Sequence, residues 1–143
     1  MLRFAPVFAA LFVLSVGPAC AQEVELEATG DGQIVFSMPS GNIGCIYTPE
    51  GGTEFYEPED GGPELSCDRV APSYVNIRLG MEGAIRTDDP GEQGCCGMDQ
   101  VLEYGSAATL GPFMCASSTR GLACETEDGA HGFFLSRARI SVE

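Results

Sequence analysis

Apolar and polar residues alternate in short runs along most of this chain, and glycine or proline interrupts nearly every run before it reaches helical length. Side chains of a strand point to opposite faces with a period of two, so such runs predict half-buried strands. Residues 33–38, 42–48, 64–68, 74–79, 101–104, 112–116, 121–125 and 132–140 fit that pattern. No stretch keeps a 3.6-residue period for long. Residues 105–111, with Ala107, Ala108 and Leu110 between two glycines, offer one helical turn at most. The expected fold is mostly β, a small antiparallel barrel or sandwich of short strands, with the barrel the closer fit to so short a chain.

The punctuation between the runs is specific. Pro39-Ser40-Gly41-Asn42 should form a tight hairpin turn, because its residues fix or relax φ. On the strand that follows, Ile43, Cys45 and Tyr47 share one face, which puts Cys45 on the inward side. Thr119-Arg120-Gly121 reads as a second hairpin turn. Residues 50–63 and 88–94, rich in Gly, Pro and acid, read as exposed loops. Arg137 and Arg139 lie two apart on the last predicted strand, where they would share a face and pair with acidic neighbours.

The N-terminus has a different character. Arg3, an apolar run from Phe4 to Val16 and the small residues Gly17-Pro18-Ala19-Cys20-Ala21 follow the order of a secretory signal peptide, cleaved ahead of Gln22. That run contains Pro6 and is shorter than the roughly twenty residues of a membrane span, and no later segment is apolar enough to be one. The chain divides accordingly into a signal (1–21), a short acidic leader (22–32) and a single β domain (33–143), with a secreted or periplasmic location. Lipidation at Cys20 is the competing reading, although Gly17 and Pro18 fit a lipobox poorly.

Without Cys20, six cysteines remain: Cys45, Cys67, Cys95, Cys96, Cys115 and Cys124. An even number in an oxidising compartment implies three disulfides. Zinc is disfavoured, since there is no paired Cys-x-x-Cys motif and a single histidine, and the sequence calls for no metal and no cofactor. Adjacent Cys95 and Cys96 either bond to each other or serve two different partners. Beyond the signal, six arginines and no lysine face 21 acids, a formal charge of −15. Nucleic acid and anionic membrane surfaces are poor partners for such a chain, whereas cationic proteins and envelope components are open to it.

Chemistry has few candidates. The acidic group Glu54, Glu57, Glu59 and Asp60 lacks the spacing of a calcium loop and reads as a solvated surface. His131, in Gly129-Ala130-His131-Gly132, is the one imidazole any triad would have to use, and no Gly-x-Ser-x-Gly elbow accompanies it. A histidine among small residues at a strand start more often belongs to a turn.

The segments Met38-Pro39-Ser40-Gly41-Asn42-Ile43-Gly44-Cys45, Leu65-Ser66-Cys67-Asp68, Tyr104-Gly105, Phe113-Met114-Cys115, Gly121-Leu122-Ala123-Cys124 and His131-Gly132-Phe133-Phe134-Leu135-Ser136-Arg137 occur here in that order. Together they resemble a family of small secreted bacterial proteins catalogued as domain of unknown function 6636, from Ile34 to Ile140. The resemblance implies a secreted, cysteine-bridged protein and no mechanism. It implies bridges Cys45–Cys67 and Cys115–Cys124. The chain departs from the family in lacking a cysteine near residues 72–76 and doubling a later one, which leaves Cys95 and Cys96 to each other.

Three classes of function remain. The first is a non-catalytic secreted binding module for a cationic protein or an envelope component. The second is a small hydrolase using His131 with carboxylates, aided by Ser136 or Arg137. The third is a structural envelope protein.

Overall fold

The computed structural model describes residues 20–96 and 100–143, so all but the end of the expected signal segment lies outside the described residues. The chain folds into two open sheets. One holds six strands in the order β1 (Gln22–Glu23), β7 (Ser106–Leu110), β8 (Phe113–Ser118), β9 (Gly121–Thr126), β10 (Gly132–Leu135) and β11 (Ile140–Val142). The other holds β2 (Ile34–Ser37), β3 (Ile43–Thr48), β4 (Glu64–Arg69), β5 (Val75–Gly80) and β6 (Gly83–Asp88). Sheet pairings are antiparallel except β1 with β7. Neither sheet closes on itself, so the fold is a sandwich and the barrel expectation is corrected.

The core follows from the two-residue period. Ile43, Cys45 and Tyr47 of β3, Leu65 and Cys67 of β4, and Val75, Ile77 and Leu79 of β5 are buried on one sheet. They face Ala108 and Leu110, Phe113 and Cys115, Leu122 and Cys124, and Phe133 and Leu135 on the other. Tyr47 meets Phe113 edge to face across the layer, centroids 6.2 Å apart. Cys45 is bonded to Cys67 directly opposite on β4, and Cys115 to Cys124 directly opposite on β9. Each of these bridges staples a hairpin within one sheet, so contact between the sheets rests chiefly on apolar packing, with polar links such as that from Arg69 to the Ser136 carbonyl.

Several elements differ from the sequence expectation, each for a physical reason. Residues 105–111 form no helical turn. Ser106, Ala108 and Leu110 point inward and Ala107 and Thr109 outward, a strand pattern in small residues. The predicted strand 132–140 is two strands, split by a turn at Ser136 to Arg139. β6 escapes the hydrophobic pattern because it is an edge strand whose residues from Ile85 onward are exposed. In the predicted strand 101–104, Val101 alone makes a bridge, parallel to Ser37, while Leu102 plugs the core. The acidic leader lies along the fold: β1 pairs with β7, and Val24 and Leu26 pack against the core between outward glutamates.

Candidate functional site

Antiparallel connections alternate between the two ends of a sandwich, and this alternation sorts the chemistry. At one end, the turns β2–β3, β4–β5, β8–β9 and β10–β11 meet the segments around Cys95 and Tyr104. They enclose a groove of about 670 Å³. Its walls include Ser40 to Ile43, Val70, Cys95 and Cys96, Tyr104, Ser118 to Gly121 and Ser136 to Ala138. The turns near Asn42 and near Arg137, far apart in sequence, therefore face one space. The structure pairs Cys95 with Cys96 on its wall.

Each turn around the groove is fixed by its own residues. Asn42 acts as a backbone mimic: its side-chain oxygen accepts from the Ala71 amide at 2.8 Å and its amide donates to the Ala71 carbonyl at 3.0 Å. Ser136 builds the β10–β11 turn, its backbone amide donating to the Arg139 carbonyl at 2.9 Å and its hydroxyl accepting from the Arg139 amide at 2.9 Å. This leaves Arg137 and Ala138 at the turn's tip. Arg69 anchors the turn from the opposite sheet by donating to the Ser136 carbonyl at 3.1 Å.

The β8–β9 turn, which carries Arg120, abuts that turn through Gly121. A Cβ at Gly121, where φ is +148°, would lie 2.7 Å from the Leu135 carbonyl oxygen and 2.8 Å from Ser136 Cβ. Only glycine permits that approach. Arg120 and Arg137 are thus presented by two turns packed against each other.

No acidic side chain lines this groove among the described residues, in a chain that holds 21 acids. The opposite end is the reverse. The β3–β4 loop carries Glu50, Glu54, Glu57, Glu59 and Asp60, the β5–β6 turn Glu82, and the β9–β10 turn Glu127 and Asp128. A shallow pocket there is lined by Glu59, Asp60, Glu64 and Glu82 with Arg78 among them. Among the described residues no group of three or more His, Cys, Asp or Glu is placed to hold a metal ion.

His131 sits at this acidic end, half-buried, its Nδ1 beside Gly83 of β6, and borders a pocket of about 260 Å³ with Glu125, Phe134, Ser141 and Glu143. Its backbone amide donates to the Thr126 hydroxyl, and its carbonyl accepts from the Thr126 amide at 2.8 Å. The ring has no hydrogen-bond partner among the described residues. Asp128, in the same turn, is held below its ordinary carboxyl range by the Thr126 hydroxyl and the Ala130 amide. The residues around His131 therefore build a turn.

The structure does not bring His131 together with Ser136 or Arg137. They lie at opposite ends of β10, a strand of four residues and about 13 Å. Nor do Arg137 and Arg139 share a strand face with acids. Arg137 faces the groove, and the Arg139 guanidinium stacks over the Phe134 ring at 4.6 Å.

Sequence reasoning singled out Arg137 but took Arg120 as a turn residue and Tyr104 as a strand residue, and gave Val70 no place. One signal was available: the turn stretches 39–42, 119–121 and 136–139 contain no acid. Fold and groove define a disulfide-stapled β-sandwich with a ligand-sized cleft at one end. No family model, curated protein or solved structure matches the chain.

Proposed function

We propose that this protein is a non-catalytic binding module of the secreted or periplasmic compartment, with an envelope component as its ligand and the turn-lined groove as its site. The groove of about 670 Å³ carries the reading, because its size falls within the range of small-ligand clefts and its walls are held by turns rather than loose loops. The hairpin-stapling disulfides Cys45–Cys67 and Cys115–Cys124 support work in an oxidising compartment. The resemblance to the small secreted family supports the same compartment. A cationic-protein partner would instead engage the acidic end, and salt separates the two: contact with the acidic end weakens steeply as salt rises.

The test is amide-resolved NMR of the protein titrated with soluble envelope fragments, compared with an Ala138→Trp variant whose new side chain fills the groove. Shifts at Asn42, Val70, Arg120 and Arg137 that vanish in the variant are expected. Shifts confined to residues 50–63 and 127–131, indifferent to the variant, would move the site to the acidic end and overturn the reading.

A further inference from the structure

We infer that the groove takes a small monoanionic ligand, one carboxylate on an apolar body, with Arg120 and Arg137 holding the carboxylate. The inference rests on the groove being the ligand site proposed above.

The fate of every arginine beyond Arg3 carries the argument. Arg69 is buried and donates to the Ser73 and Ser136 carbonyls. Arg78 lies among Glu59, Asp60, Glu64 and Glu82. Arg86 is paired with Asp88 at 2.7 Å, and Arg139 is stacked on Phe134. Like Arg120 and Arg137, Arg78 and Arg139 make no side-chain hydrogen bond or ion pair among the described residues, but Arg78 has acids around it and Arg139 a ring beneath it; Arg120 and Arg137 have neither among the described residues, and both line the groove. In a chain of net charge −14, these two guanidinium groups, with neither acid nor ring beside them, line a large cleft that has no acid among its described lining residues. A planar guanidinium matches a carboxylate with two parallel hydrogen bonds, and here both are presented from turns already fixed by backbone contacts.

The rest of the lining and the rest of the molecule narrow the anion. Met38, Ile43, Val70, Tyr104, Ala138 and the Cys95–Cys96 pair give the groove an apolar wall, which an inorganic anion would leave uncovered. Each further negative charge on a ligand is repelled by the acidic surface, which favours a single charge over a dianionic phosphate ester.

The experiment titrates isotope-labelled protein with N-acetyl-phenylalanine and, separately, with its neutral amide, following amide resonances. The acid is expected to shift groove residues and to bind about tenfold or more tightly than the amide. An Arg120→Gln, Arg137→Gln double variant should lose that preference. Arg139→Gln, which removes a charge from the same β10–β11 turn but outside the groove, should keep it and thereby shows that net charge alone is not responsible. Well-dispersed spectra confirm that each variant is folded.

Equal binding of acid and amide, or an unchanged preference in the double variant, would overturn the carboxylate inference and leave the groove as a site for neutral ligands. Absence of groove shifts with the acid would also overturn it. If the envelope fragments then still shift groove residues, the binding-module reading survives; if they do not, both fail together.

Discussion

Arg69 occupies a position where the strand period calls for an apolar residue, following Leu65 and Cys67 on the inward face of β4. It is 5% exposed, and burial lowers its pKa, yet among the described residues no carboxylate bonds to it. Its partners are the Ser73 hydroxyl and the carbonyls of Ser73 and Ser136. The side chain thus closes the core beneath the groove and joins the two sheets there, where no disulfide does. Arg69→Met keeps much of the volume but leaves those carbonyls unpaired, and should cost about 2–4 kcal/mol by urea unfolding. A neutral result would mean that water replaces the guanidinium.

The tyrosines make an alkaline prediction at the same scale. Burial raises the pKa of Tyr47 and Tyr74. Tyr56 is pushed up to about 12 by burial, its hydrogen bond to Glu64 at 2.7 Å and the charge of that carboxylate. Raised folded-state values mean that the folded protein holds these protons more tightly than the unfolded chain does. Their stabilisation is complete below the ordinary tyrosine value of 10.0 and is lost as pH climbs from there towards about 12. Phenolate absorbance should therefore lag behind that of free tyrosine and rise with the loss of β-sheet circular dichroism. A Tyr56→Phe variant should remove the latest-titrating component.

At the scale of elements, stability is built hairpin by hairpin. The Cys115–Cys124 bridge closes a loop across a sequence separation of 9, and Cys45–Cys67 one across 22. Chain entropy assigns them about 2.7 and about 3.4 kcal/mol. Replacing each pair by alanines should reproduce that order in denaturant unfolding, and an inverted order would show that packing of the sulfurs outweighs chain entropy. Gly121 governs how the β8–β9 and β10–β11 turns meet. Gly121→Ala should cost about 2 kcal/mol or more and weaken groove binding, because the added methyl forces the two arginine-bearing turns apart.

Elements also mark what the sequence could convey. β2 to β5, β8 and β9 were legible within a residue or two, because bulky apolar side chains alternate and glycine or proline bounds them. β7 was hidden because its inward residues are Ser106, Ala108 and Leu110, two of them too small to register as apolar anchors. The break between β10 and β11 was hidden because Ser136 to Arg139 turn through side-chain and backbone hydrogen bonds, without glycine or proline. That same hidden turn displays Arg137. The arginine could be picked out by residue, but its companion Arg120 required knowing that two turns distant in sequence abut.

Across the whole molecule, acid is concentrated at one end of the sandwich and absent from the described lining of the groove at the other. Glu50, Glu54, Glu57, Glu59, Asp60, Glu82, Glu127 and Asp128 crowd the connections at one end, while Arg120 and Arg137 lie at the other, where the β6–β7 connection carries Asp89, Glu92 and Glu103. Among the described residues the sole ion pair is Arg86–Asp88, between exposed groups, which contributes little. Repulsion among the acids should therefore outweigh attraction, and folding brings them closer than the unfolded chain does. Raising salt from about 0.01 M to about 1 M shortens the screening length from about 30 Å to about 3 Å, so salt should stabilise the fold. For a domain of this size each kcal/mol of relieved repulsion raises Tm by about 4 °C. A Glu54→Gln, Glu57→Gln, Glu59→Gln variant should be more stable at low salt and less responsive to it, because three of the crowded charges are gone while the core is untouched. A Tm that falls with salt, or a variant that loses stability at low salt, would mean that these carboxylates make attractive contacts in solution. The acidic end would then be a structured surface in its own right, and the cationic-partner alternative would gain ground over the groove.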